Sequence, residues 1–142
     1  MPPRIGTHVS SAGGVQLAAA RARELGCQTF QVFTSSPRQW RAPRLDPDAV
    51  AEFRRLRRAC KLGPVVVHAS YLINVASEES VLRARSLAAL RGEIERAAAI
   101  GADHLVLHPG SGELGRCIEG IQAACRGVAW DGVSLLIENT AG

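Results

Sequence analysis

The sequence is short of several things, and each shortage closes off a class of protein. Aromatic residues make up only 4% of its 142 residues, so its core must be built from aliphatic side chains. Its four cysteines, Cys27, Cys60, Cys117 and Cys125, include no C-x-x-C pair. They are expected to be buried free thiols rather than disulfide partners or metal ligands. No apolar stretch is long enough to span a bilayer. Met1-Pro2-Pro3-Arg4 runs straight into a strand pattern, with nothing resembling a secretory leader. Together these point to a cytoplasmic setting. No G-x-G-x-x-G follows the first strand pattern, so a dinucleotide-binding open sheet has no support.

What is present is ordinary in bulk. The chain is 46% hydrophobic and 21% charged, with a net charge of +4. That suits one globular domain with its own core. The mild basicity is compatible with nucleic acid without demonstrating it. Many arginines (Arg54, Arg55, Arg57, Arg58, Arg83, Arg85, Arg91) fall on helical patterns, where a solvated face is the common explanation.

Strand and helix patterns alternate throughout. Strands are expected at Ile5 to Val9, Thr29 to Phe33, Val65 to His68, His104 to His108 and Val133 to Glu138. A first helix places Val15, Ala18, Ala19 and Ala22 on one face and stops at Gly26. Thr34 to Leu45 holds prolines and arginines and reads as a loop. Asp46-Pro47 is a helix start, because Asp accepts from orphan N–H groups and Pro suits the first helical position. Val50, Phe53, Leu56 and Cys60 follow at helical spacing. A long helix covers Glu79 to Ile100, with Gly101 as its cap, and a fourth carries Cys117, Ile118, Ile121, Ala124 and Cys125. Repeated βα units imply a parallel sheet with right-handed crossovers. An open doubly wound sheet and an arc of an eight-stranded (β/α) barrel both satisfy the pattern.

Three of the apolar runs end in side chains that bind metals: Val65-Val66-Val67-His68, Leu105-Val106-Leu107-His108 and Leu135-Leu136-Ile137-Glu138. Polar residues at the C-terminal tips of parallel strands point to where such folds keep their chemistry. Two imidazoles and a carboxylate are ligand types that zinc accepts. His8 ends the first strand pattern in the same way. His104 begins its strand and belongs at the opposite rim. The segment Ser36 to Arg41 mixes Arg38 and Arg41 with Gln39 and Trp40, and Tyr71-Leu72 lies just beyond His68. Arg binds phosphate or stacks, and Tyr or Leu can wedge between bases. Packing of Trp40 and Tyr71 against a barrel rim is the plainer alternative.

These residues together resemble a family. His68-Ala69-Ser70-Tyr71-Leu72-Ile73-Asn74-Val75-Ala76 is similar to the H-x-x-Y-L-I-N-hydrophobic-A signature of endonuclease IV, the zinc-dependent abasic-site endonuclease of DNA repair. Ile5 to Gly14 resembles that family's opening, and Phe33-Thr34 through Arg41 its first DNA-recognition loop. Leu107 to Ser111 and Ile137 to Gly142 resemble two of its ligand-bearing strand ends. The resemblance implies an α/β fold, a partial (β/α)8 TIM barrel of about five parallel strands and four helices. It implies that residues 1–142 are the N-terminal part of one barrel domain. The implied activity is metal-assisted hydrolysis of the phosphodiester 5′ to an abasic site in double-stranded DNA. His68 and His108 would be ligands to one zinc ion, and Glu138 would bridge it to a second. Arg38, Gln39, Trp40, Tyr71 and Leu72 would contact DNA at the lesion, with His8 and Asn74 in support.

The family holds up to three zinc ions, and this chain carries one partial site, because the later ligand-bearing motifs are absent. Ser35 and Ser36 stand where Lys and Asn are frequent. The full-length protein is expected to be a monomer without membrane contact. The 142-residue piece alone is expected to be poorly stable and inactive, with an unpaired edge on each side of its sheet. Two rivals remain: a xylose-isomerase-like sugar isomerase or epimerase barrel, and a non-catalytic DNA-binding remnant.

Overall fold

A computed structural model of the chain describes residues 2–130 and 132–139. Five strands and four helices alternate: β1 (Gly6–Val9), α1 (Val15–Glu24), β2 (Thr29–Val32), α2 (Pro47–Ala59), β3 (Val65–His68), α3 (Ser80–Ile100), β4 (His104–Leu107), α4 (Leu114–Cys125) and β5 (Ser134–Ile137). The strands form one parallel sheet in chain order, β1-β2-β3-β4-β5. An open doubly wound sheet reverses its strand order at a switch point, and this one does not. Each helix also packs on the next, α1 on α2, α2 on α3 and α3 on α4. The helices therefore share one face of the sheet, the arrangement of a barrel arc. The chain is an α/β protein with a partial TIM-barrel fold.

Local chemistry explains the element ends. Asp46 caps α2 by accepting from the Asp48 amide at 3.0 Å, with Pro47 in the first turn. This satisfies one orphan donor, and the proline has no N–H to satisfy. Gly101 ends α3 at φ 69°, a left-handed conformation that lets its amide return to the Ala97 and Ala98 carbonyls.

The core lies between sheet and helices. Phe30, Val32, Val65, Val67, Leu105 and Leu107 alternate onto the helix side and are almost fully buried. They meet Phe53 of α2 and Leu90, Ile94, Ala97 and Ile100 of α3. Burying each large side chain stabilises the fold by about 1.5–3 kcal/mol. Truncating Phe53 to Ala would cost about 3–5 kcal/mol through lost transfer energy and the cavity left behind. On the concave face the register aligns His8, Gln31, Val66, His104 and Ser134 in one row, and His68, Val106 and Leu136 in the next.

At the lower rim, where strands begin, Arg57 of α2 pairs with Asp103 and donates to the carbonyls of Leu62 and Gly101. The Asp103 carboxylate also accepts from the Val65 amide at 2.6 Å, and its carbonyl accepts from Ser134 at 2.9 Å. Burial opposes charge on Asp103, but Arg57 and the Val65 amide more than offset it and hold its pKa low. One arginine thus ties α2, the end of α3 and three strands together.

Several expectations need correction. Every cysteine is free, as expected, but each is only half-buried. The run Leu135-Leu136-Ile137 reads as a buried strand, yet Leu136 and Ile137 are 42% and 52% exposed. β5 is an edge strand with one ladder partner, so its hydrophobicity is not matched by burial here. β1 is the other edge. The strands are shorter than their apolar runs, so His108 and Glu138 lie one residue past the strands, and Ile5 and Phe33 lie outside theirs. No helix among the described residues is long and apolar enough to cross a membrane.

Candidate metal centre and its flanking loops

His68 is the last residue of β3, and His108 and Glu138 follow β4 and β5. Ladder hydrogen bonds continue past the strand ends and set their heights. The Ala69 amide donates to Val106 O at 2.8 Å, and the Glu138 amide to Leu107 O at 3.0 Å. The result brings the three side chains together. One ligand atom from each lies within 4.8 Å of the others. Glu138 Oε2 stands 3.4 Å from His68 Nε2 and 3.3 Å from His108 Nε2. The two imidazole centroids are 5.1 Å apart.

The tautomers are also determined by the backbone. His68 Nδ1–H donates to the Ala69 carbonyl at 2.8 Å, and His108 Nδ1–H to the Glu138 carbonyl at 3.2 Å. Each ring therefore turns its Nε2 toward the shared carboxylate, the orientation a metal-ligating histidine receives from its outer partners. His68 is buried, while the Glu138 side chain is 54% exposed. The donor set is ready on the protein side and open toward solvent.

Phe33 organises the other wall. Its ring lies 4.6 Å from His8, 5.5 Å from His68 and 5.3 Å from Tyr71, centroid to centroid. Tyr71 in turn edges onto His68 at 5.7 Å, yet is 60% exposed. The sequence marks Phe33 only as the end of a strand pattern and the start of a loop; its contacts with His8, His68 and Tyr71 appear only in the fold. His8 is not at a strand tip, as its position in the pattern implied. It is the third residue of β1, exposed on the concave face, with its Nδ1 3.0 Å from Gln31 Nε2. Partial burial, and secondarily the nearby His68, lower its pKa.

Asn74 knits the loop after β3 to the loop after β4. Its side chain accepts from Ala76 N at 3.1 Å and donates to Ser111 O at 3.2 Å, while the Val75 amide donates to Pro109 O at 3.1 Å. Gly110 passes so close that a Cβ there would sit 2.7 Å from the Asn74 Cα. Its φ of 87° also belongs to glycine. This packing holds the segment directly behind His108.

Arg38, Gln39 and Trp40 are exposed on the loop between β2 and α2, and Leu72 is half-buried. The loop meets the metal-bearing segment where Ser70 Oγ donates to Pro37 O at 2.7 Å. Thr140-Ala141-Gly142, the end of the Glu138 motif, lie outside the described residues.

Two kinds of likeness bear on this geometry. The chain is 43% identical over 146 residues to a probable endonuclease 4 of Solibacter usitatus, covering 98% of this chain and 50% of that protein. It superposes on the crystal structure of endonuclease IV from Thermus thermophilus with a TM-score of 0.91 at 47% identity, covering 99% of this chain and 53% of the other. A xylose isomerase domain protein from Planctomyces limnophilus shares the fold at 17% identity and a TM-score of 0.68, covering 96% and 55%. The chain spans about half the length of the curated relatives it matches. The xylose isomerase-like TIM barrel family matches residues 19–142. By that match the chain belongs to the xylose isomerase-like TIM barrel family, and within it the chain is homologous to endonuclease IV.

Proposed function

We propose that this chain is the N-terminal part of a zinc-dependent DNA-repair phosphodiesterase that cuts 5′ to abasic sites in double-stranded DNA. The observation that carries the reading is the pair of histidines. Both Nδ1 atoms are committed to backbone carbonyls, and both Nε2 atoms converge on one Glu138 oxygen. Two imidazole nitrogens and a carboxylate oxygen fit zinc, so His68, His108 and Glu138 would hold it. When bound, zinc lowers the pKa of water and polarises a phosphate.

The chain's own side chains do the remaining work. Glu138, with its side chain 54% exposed, would also help hold a further ion, and it is the residue assigned to the reacting centre. The family complement of up to three ions would be completed by ligands outside this chain. Arg38, together with Tyr71 and Leu72 on the loop just past His68, enters the DNA at the lesion and fills the gap left by a flipped-out abasic nucleotide. Gln39 and Trp40 extend that surface, while His8 and Asn74 hold the walls. A cytoplasmic monomer is the expected setting of the full-length protein, and the isolated piece is expected not to incise DNA.

The test is a titration of abasic and intact duplexes with the zinc-loaded chain. Preference for the abasic duplex supports the reading. Equal, weak binding to both would favour a sugar isomerase or epimerase, which has no use for Arg38, Trp40 or Tyr71 as wedges. Salt-sensitive binding without preference, and without incision at saturating zinc, would mark a non-catalytic DNA-binding remnant.

A further inference from the structure

We infer that Arg96, Thr34 and Glu93 form a clamp that positions the loop bearing Arg38, Gln39 and Trp40 against the metal-bearing segment after β3. The inference rests on the DNA reading above and assigns three positioning residues to it.

Arg96 Nε donates to Thr34 Oγ1 at 3.0 Å, and that hydroxyl donates onward to Glu93 Oε2 at 3.1 Å. A guanidinium and a carboxyl group are thus joined through one hydroxyl, and each bond polarises the next. The same guanidinium donates to the Thr34 carbonyl and, at 2.6 Å, to the Pro43 carbonyl. Thr34 and Pro43 stand at the two ends of the segment carrying Arg38, Gln39 and Trp40. One side chain therefore closes the loop at its base.

The other half of the clamp reaches the metal segment. Burial raises the Glu93 pKa, while the Thr34 hydroxyl, Arg96 and the backbone amide of Ser70, two residues past His68, act against that rise. Ser70 Oγ donates to Pro37 O at 2.7 Å and accepts from Leu72 N at 3.2 Å. Glu93 and Ser70 thereby link the DNA-facing loop, Leu72 and the strand end that presents His68.

Packing alone cannot place this loop. A cavity of about 360 Å³ lies between it and α3, bordered by Trp40, Arg41, Ala88 and Gly92. A second, of about 470 Å³, separates it from the segment after β1. With space on both flanks, hydrogen bonds decide where the loop sits. Glu93 occupies the buried face of α3 between Leu90 and Ile94, at 6% exposure. A carboxylate is costly there unless its partners need it, and its partners belong to the two loops and to Arg96.

The experiment uses the whole chain in a Trp130→Phe background, so that Trp40 is the reporting indole. Thr34→Val and Arg96→Met remove the clamp, and Thr34→Ser keeps the hydroxyl. Three quantities are read: acrylamide quenching of Trp40, zinc affinity by chelator competition, and affinity for an abasic duplex. Thr34→Val and Arg96→Met should raise quenching toward that of a free indole and leave zinc affinity unchanged. Abasic-duplex affinity should fall about tenfold, the cost of ordering two or three freed side chains on binding. Thr34→Ser should behave as the parent. Unchanged quenching in both clamp variants would overturn the inference. So would a parallel loss of zinc affinity, which would mean that the whole site had come apart. Quenching needs no DNA, so a parent chain indifferent to the lesion would defeat the functional reading while quenching still decided the clamp.

Discussion

The two rims of the sheet treat their polar side chains differently. At the lower rim Arg57 and Asp103 are held by one another and by the backbone of Leu62, Gly101, Val65 and Ser134. At the upper rim His68, His108 and Glu138 have their outer atoms fastened and their inner atoms aimed at one another. The lower arrangement pairs opposite charges with each other and with the backbone. The upper arrangement gathers two imidazole nitrogens and a carboxylate oxygen close enough to share one metal ion. Satisfied polarity is what stability needs, and unsatisfied, aligned polarity is what chemistry needs.

Substitutions at the two rims should therefore separate into two phenotypes. The largest effect belongs to His68→Ala, which should weaken zinc binding on the order of a hundredfold. Chelator competition measures this, and denaturant unfolding of the metal-free protein should change little. A large loss of stability instead would mean that the upper rim is structural. Next is Arg57→Met, which leaves Asp103 and two carbonyls short of a donor. It should cost about 1–2 kcal/mol, discounted for the solvent that reaches Asp103. Zinc affinity should be unaltered, and a coupled loss would erase the contrast between the rims.

Acid should reveal the same lower lock. The Asp103 pKa is depressed in the folded protein. Its contribution is therefore complete above the unfolded carboxylate range and is lost as pH falls through the lower, folded value. Thermal melts in that acid window should show the loss in the parent and not in Asp103→Asn, at about 1 kcal/mol or less. A parent curve that overlays the variant would remove Asp103 from the lock. The smallest effect should be Ile137→Lys, on the exposed edge strand. It should move stability by about 0.5 kcal/mol or less and reduce any self-association seen by light scattering.

Much of this contrast was legible before any coordinates. Apolar runs punctuated by His68, His108 and Glu138 announce strand tips, and Asp46-Pro47 announces a helix, because these are local signals with local causes. Alternation alone left the strand order open, since open and barrel sheets share it, and the barrel was implied only by the resemblance to endonuclease IV. It took the register and the helix-on-helix contacts to separate them. The edge exposure of Leu136 and Ile137 was missed for a related reason: apolar character does not reveal how many neighbours a strand has. Glu93 left a usable trace, a carboxylate at the helical spacing of Leu90, Ile94 and Ala97. Its partners could not be read from that trace, because Thr34 and Ser70 arrive from other units. His8 stands one residue short of its strand's end, yet it faces the same concave side as His68.

The in-order sheet has a consequence for how the chain comes into being. Each strand pairs with the one before it, as Gly6 with Thr29 and Val66 with His104, and each helix rests on its predecessor. No early unit has to wait for a distant one among the described elements. During synthesis every βα unit can therefore dock on the unit already emerged from the ribosome, so assembly can follow the direction of translation.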